Sequence, residues 1–256
     1  MKVSIITIVK NNKDFLSDTV ESVLSQKYKN FEYIIIDGVS TDGSIDIIKH
    51  YAALDKRIKW ISEKDQGISD AMNKGIALST GDIIAHLHSD DYYADEDVLS
   101  GVSSAFKRCD SSCWLTGGLH IVNKSKEILT TIGVRNYSYD ALVDSNTIMH
   151  PSTFVLRRAF ELAGMFDRSL SYAMDYDLWL RLGRIGDPLR IDAPLACFRA
   201  HEGSLSTSHS GAALHEAWLV RKKYLCSKPI KLLRGYYRYL KLRREYILFN
   251  DSLLGR

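Results

Sequence analysis

The chain has 256 residues, 45% of them apolar and 25% charged, a composition that excludes a disordered protein and gives length for one large domain with an appendage. The net charge is only +3, but residues 210–256 hold 11 Lys and Arg against 3 acids, a segment of +8, which leaves −5 for residues 1–209. Basicity is thus concentrated at one end. Cys109, Cys113, Cys197 and Cys226 form one CxxxC pair and two singletons, with no CxxC or Cys/His array of the zinc-binding kind, and read as reduced, buried thiols. Val3 to Val9 is too short for a signal peptide's apolar core and runs into Lys10-Asn11-Asn12, while no apolar run reaches the roughly 18 residues of a membrane span. A cytoplasmic catalytic part is expected.

Val3 to Val9 is a β-branched run that predicts a buried parallel strand. A helix follows, with Ser17 as a candidate cap and Val20, Val23 and Leu24 on its apolar face. Phe31 to Ile36 predicts a second strand, closed by Asp37-Gly38, and Ile45, Ile47, Ile48 and Tyr51 a second helix. Ile58 to Ile61 predicts a third strand, Ser69 to Leu78 a helix, and Ile83 to Leu87 a fourth strand running into His88-Ser89-Asp90-Asp91. Alternating strands and helices imply a parallel sheet covered on both faces, with ligands beyond the carboxyl ends of its strands. Asp37, Asp65 and Asp90-Asp91 all fall at such ends, and a sheet delivers them to one rim. Beyond them a strand is expected over Trp114 to Val122, with helices over about Arg157 to Leu162 and Asp175 to Leu182. No internal repeat or low-complexity linker precedes residue 205, so a single domain is favoured.

Paired carboxylates at a strand end can hold a divalent cation whose shell is completed by phosphate oxygens and water. An Asp-Asp before Tyr92-Tyr93 is alone more often a solvated loop or a helix cap. The surrounding motifs change that balance. VSIITIVKNN at 3–12, SVLSQKYKNFEYIIIDGVSTDGS at 22–44, EKDQGISDAMNKGI at 63–76, LHSDDYY at 87–93 and MDYDLWLRL at 174–182 together resemble the family 2 glycosyltransferases of bacterial polysaccharide assembly, over about residues 1–205.

The resemblance implies a GT-A, Rossmann-like α/β fold, a mostly parallel central sheet flanked by helices over 1–209; the residue pattern of 210–256 adds a basic amphipathic helical extension. It implies an inverting transfer of sugar from a nucleotide-sugar donor to a hydroxyl of a saccharide acceptor, lipid-linked in cell-surface polysaccharide assembly. Thr7, Asp37 and Asp65 look like donor-nucleotide contacts. Asp90-Asp91 looks like the family's metal motif for Mg2+ or Mn2+, with Asp91 the direct ligand and Asp90 on the donor side. Asp175 matches the catalytic base, a carboxylate that would deprotonate the attacking hydroxyl, although an Asp opening a helix is also an ordinary N-cap. His150-Pro151-Ser152 resembles the acceptor-side segment, and His201, in Arg199-Ala200-His201-Glu202-Gly203-Ser204, a group that approaches the diphosphate or metal. Asp177 and Arg181 read as a helix-face ion pair. Many members have two acids after the second strand where this chain has Asp37-Gly38, and His88 also departs from the common pattern.

His86-x-His88-x-Asp90-Asp91 also admits a metallohydrolase reading, but Asp91 stands where that motif needs a histidine. A non-catalytic saccharide-binding module is the other alternative, disfavoured by the presence of Asp91 and Asp175. In the tail, Trp218, Leu233, Tyr237 and Leu240 interleave with Arg and Lys, and Pro229 is expected to divide two helices. Such helices suit an anionic membrane surface, and would make the protein peripheral on the inner face; packing on the enzyme itself or a homo-oligomer contact is the other account. Nucleic-acid binding is not expected, because the tail has no reading motif.

Overall fold

The chain runs β1 (Val3–Val9), α1 (Lys13–Leu24), β2 (Phe31–Asp37), α2 (Ser44–Leu54), β3 (Ile58–Ser62), α3 (Ile68–Leu78) and β4 (Ile83–His86) through its first third. There follow β5 (Tyr92–Tyr93), α4 (Val98–Arg108), β6 (Trp114–Val122), β7 (Ile128–Ile132), α5 (Tyr139–Asp144), a 3-10 turn at His150–Ser152, β8 (Thr153–Leu156), α6 (Arg157–Ala163), α7 (Met174–Ile185), β9 (Leu189–Arg199), α8 (Ser210–Leu225) and α9 (Pro229–Leu253). The computed structural model describes residues 1–109, 111–134, 137–201, 210–226 and 228–253, with side chains in α9 as far as Arg244. Glu202, Gly203 and Ser204 of the late motif lie outside the described residues.

One sheet of nine strands carries the order β3-β2-β1-β4-β8-β6-β9-β5, with β7 added beside β6. Its first four strands are parallel, as the β-branched runs and crossover helices predict. Beyond β4 the sheet changes character, since β8 inserts antiparallel between β4 and β6, and β6 then pairs in parallel with β9. Successive residues of a strand face opposite sides, so Ile6 enters the core beneath α3 and α7 while Val3, Ile5 and Val9 enter the one beneath α1 and α4. Gly75 lets α3 lie against β1, because a Cβ there would sit 2.3 Å from Ile6 Cγ2. α1 begins at Lys13 with Asn12 at its N-cap position, so Ser17 lies within the helix and does not cap it.

The basic terminal segment forms two helices separated before Pro229, as expected. α8 is built into the body: Val220 and Leu225 have no exposure and share a core with α7 and β6. α9 in turn lies on α8, with Tyr239 stacked on Trp218 at 5.7 Å and its hydroxyl 3.0 Å from His215 Nδ1. Residue 209 therefore divides the chain by charge more than by packing. Of the four cysteines, Cys113 and Cys197 are buried, whereas Cys226 is exposed.

Candidate active site

The parallel register sets Val9, Asp37 and Ser62 side by side at the carboxyl edge of the sheet. Asp37 is fully buried and its carboxylate accepts hydrogen bonds from Ser62 Oγ at 2.6 Å and the Ser40 amide at 3.1 Å, which ties the ends of β2 and β3 together. Asp65 lies directly over Gly38: a Cβ at 38 would stand 2.7 Å from Asp65 Oδ2. The glycine that departs from the family pattern thus admits the carboxylate of Asp65, and Asp37 and Asp65 meet at one corner of the rim. Thr7 does not join them. Its side chain is fully buried, donating to the Leu87 carbonyl at 2.7 Å and accepting from the Tyr33 hydroxyl at 2.9 Å, because strand alternation turns it inward with Ile5 and Val9. The donor contact expected at Thr7 is therefore not available to its hydroxyl.

After β4 the chain turns, and the Asp91 amide donates to the His88 carbonyl. The two aspartates then point in different directions. Asp91 is 1% exposed, with Oδ1 accepting the backbone N–H of Arg199 at 3.1 Å, and burial together with the adjacent Asp90 pushes its carboxyl well above the ordinary carboxylate range. Asp90 is partly open, with Oδ2 2.9 Å from His201 Nε2. Asp91, expected as the direct metal ligand, is thus buried and holds β9 to the turn, while the more open Asp90 meets His201.

Arg199 braces this corner, and neither composition nor spacing singled out its role. It is 1% exposed, and its guanidinium donates to Asp18 Oδ2 at 2.7 Å, the Lys124 carbonyl at 2.8 Å and the Asp90 carbonyl at 3.1 Å, while lying over the Phe15 ring. Phe15 also packs against His201, with ring centroids 5.0 Å apart. The planar guanidinium fork explains why one side chain can join three segments.

Asp175 is the second residue of α7, whose N-cap position is Ala173, so the N-cap reading fails. Its Oδ1 accepts the Tyr176 amide, and its Oδ2 faces Asn146 Nδ2 at 3.5 Å and His150 Nδ1 at 3.8 Å. His150 in turn stacks on His88 at 4.9 Å, and Phe166 and Trp179 wall the ring. His88, which sequence alone left unexplained, lies within the electrostatic reach of both Asp90 and Asp175; burial, and secondarily His150, outweigh those carboxylates and push its pKa down to about 4. The imidazole is therefore neutral at physiological pH. His86 lies deeper, edge-on to Phe166 and His150, and burial lowers its pKa well below the usual value.

Glu216 of α8 is a second residue that sequence reading passed over. Its carboxylate accepts the amides of Ser171, Tyr172 and Ala173 at 2.9, 2.5 and 2.6 Å, at the threshold of α7. Its signal was a lone acid at 216 among the first basic residues of the tail. Asp177 and Arg181 form the expected i, i+4 ion pair at 2.8 Å.

For a divalent cation, Asp90 and His201 offer one carboxylate and one imidazole, donors compatible with Mn2+ or Mg2+. Among the described residues no three His, Cys, Asp or Glu side chains form a group that could hold a metal ion by themselves. A cation here would take the rest of its shell from a bound diphosphate and water.

The sequence model described as Glycosyl transferase family 2 matches residues 4–159. Among curated relatives, the putative teichuronic acid biosynthesis glycosyltransferase TuaG of Bacillus subtilis is 29% identical over 226 residues, 86% of this chain and 87% of TuaG. Relatives differ widely in length, and the chain spans only 27% of another of them. Among solved structures, S. aureus TarS 1-349 in complex with UDP-GlcNAc superposes with a TM-score of 0.71 at 15% identity, covering 96% of this chain and 74% of that fragment. The mannosyltransferase PcManGT from Pyrobaculum calidifontis, in complex with GDP-Man and Mn2+, gives 0.65 at 14% identity, covering 99% of this chain and 80% of that one. These two likenesses establish the fold.

Proposed function

The chain belongs to glycosyl transferase family 2 and is a glycosyltransferase, and on that premise we propose that it moves a sugar from a nucleotide-sugar donor to a saccharide hydroxyl with inversion at the anomeric carbon. The observation that carries the proposal is the division of the rim into two acidic stations, Asp90 with His201 and Asp175 with His150, joined by the stacked rings of His88 and His150.

Asp65, over Gly38 and beside the buried Asp37 that ties the strand ends together, forms the nucleoside corner, where its carboxylate suits base and ribose donors. Asp90 and His201 would hold Mg2+ or Mn2+, which when bound supplies charge for the leaving diphosphate. The complexes of TarS with UDP-GlcNAc and of PcManGT with GDP-Man and Mn2+ support a nucleotide-sugar donor and a cation for this site. Asp175 takes the proton of the acceptor hydroxyl as the oxygen forms its bond to the anomeric carbon and the bond from that carbon to the diphosphate breaks. In-line attack from the face opposite the leaving group inverts the configuration. Its Oδ2 is the proton-accepting atom, since Oδ1 is occupied by the Tyr176 amide. Neutral His88 lines the space between the stations without adding a cation there.

The acceptor in this reading is a saccharide on a lipid carrier, as in assembly of a cell-surface polysaccharide. The test incubates the protein with Mn2+, a panel of UDP-, GDP- and dTDP-sugars and an extract of lipid-linked saccharides, and determines the anomeric configuration of the product by NMR. Inverted product from wild type and none from Asp175→Asn, with donor binding intact, is the expected result. Retained configuration, or full turnover by Asp175→Asn, would contradict the assignment of the base.

A further inference from the structure

We infer that the outer face of α9 docks on an anionic lipid bilayer. Ile230, Leu233, Tyr237 and Leu240 recur at i, i+3, i+7 and i+10 and are 70%, 74%, 72% and 42% exposed, so they form one apolar stripe. The opposite face is already used, since Tyr239 is buried against Trp218 and Gly235 abuts the same ring. Arg234, Arg238 and Lys241 form a second exposed row beside the stripe. Lys228 and Lys231 meet Asp140 at 3.0 Å each and secure the start of the helix to α5.

An apolar stripe edged by cations matches the boundary between acyl chains and anionic headgroups. Two copies of this face would bring like charges together, which disfavours a self-interface. Among the described residues no helix is long and apolar enough to cross a membrane, so α9 lies on the surface and does not span it. The inference does not depend on the transfer reaction, because vesicle binding is read without turnover.

Co-sedimentation of the full chain with phosphatidylglycerol/phosphatidylcholine vesicles, against phosphatidylcholine alone, tests it. Binding to the anionic vesicles only, weakened by salt, is expected. Arg234→Gln/Arg238→Gln/Lys241→Gln should weaken it on the order of a hundredfold, each cation contributing about fivefold, and Leu233→Glu/Tyr237→Glu should abolish it without a change in melting temperature. No binding by wild type, or equal binding by the variants, would overturn the inference. So would a dimer in sedimentation equilibrium that the Leu233→Glu/Tyr237→Glu variant dissolves while vesicles leave the wild type in solution.

A separate observation carries a second inference: we propose that Glu216 is a positioning residue for Asp175. Its carboxylate gathers three consecutive amides immediately before α7, placing negative charge at the positive end of the helix whose second residue is Asp175. The angle at which Asp175 Oδ2 meets the cleft is thereby set from α8. This rests on the reading of Asp175 as base, and Asp175→Asn distinguishes failure of that reading. Glu216→Ala is expected to lower kcat at least tenfold with the KM for donor unchanged, and Glu216→Gln, which keeps an acceptor oxygen, to recover part of it. A melting temperature lowered in Glu216→Ala with kcat untouched would assign Glu216 a structural role only and overturn the proposal.

Discussion

Arg199→Lys isolates the brace behind the Asp90 turn, because it keeps the charge and removes the fork. A lysine ammonium can follow Asp18, but it cannot also reach the carbonyls of Asp90 and Lys124, which now accept at 3.1 and 2.8 Å. Hydrogen bonds to a charged donor are worth about 1.5 kcal/mol or more each, so losing two costs about 3 kcal/mol. For a chain of this size that lowers the melting temperature by about 6–12 °C. The Asp90 carbonyl is also released, so Asp90 Oδ2 no longer meets His201 in a fixed geometry, and affinity for Mn2+ with a nucleoside diphosphate should fall together with stability. Thermal unfolding by circular dichroism and titration calorimetry report the two effects. A lysine variant that melts within 2 °C of wild type and binds Mn2+ equally would refute the brace.

Gly75→Ala should destabilise by about 1–3 kcal/mol through overpacking, since its Cβ would fall 2.3 Å from Ile6 Cγ2; chemical denaturation checks this. Gly38→Asp, which restores the acid pair common in the family, should weaken donor binding, because the new side chain displaces Asp65 Oδ2 from 2.7 Å away; a thermal-shift titration with donor measures it. His86 is held neutral by burial, whereas an unfolded histidine gains a proton below about pH 6.5. The unfolded state then binds more protons, so His86 costs stability as pH falls through that value. The melting-temperature difference between wild type and His86→Leu should shift against wild type from pH 7.5 to 5.5, and an unchanged difference would contradict a neutral His86.

The parallel half of the sheet was legible because each of its strands is a short β-branched run followed by a helical period, a local signal. β8 was not, because Thr153–Leu156 is four residues long and acquires its identity from β4 and β6, which reach it from distant parts of the chain. The rim acids were legible as residue types at strand ends. Their directions were not: which of Asp90 and Asp91 is buried is decided by the turn at His88 and by the Arg199 amide, 108 residues from Asp91. The direction of the Thr7 side chain was not legible for a simpler reason, since a run that is apolar on both faces gives no alternation to tell which residues look outward. Gly38 and Asp65 show the reverse case, where an apparent loss from a motif is filled by a carboxylate from the next strand end.

On the proposed reading, Asp90 and His201 hold the cation that a nucleotide-sugar donor needs. Titration of Mn2+ and a UDP- or GDP-sugar into wild type, Asp90→Asn, His201→Ala and Asp175→Asn tests it most directly. Metal-dependent donor binding that is lost in the first two variants and kept in Asp175→Asn is the predicted result; undiminished binding by both Asp90→Asn and His201→Ala would contradict it.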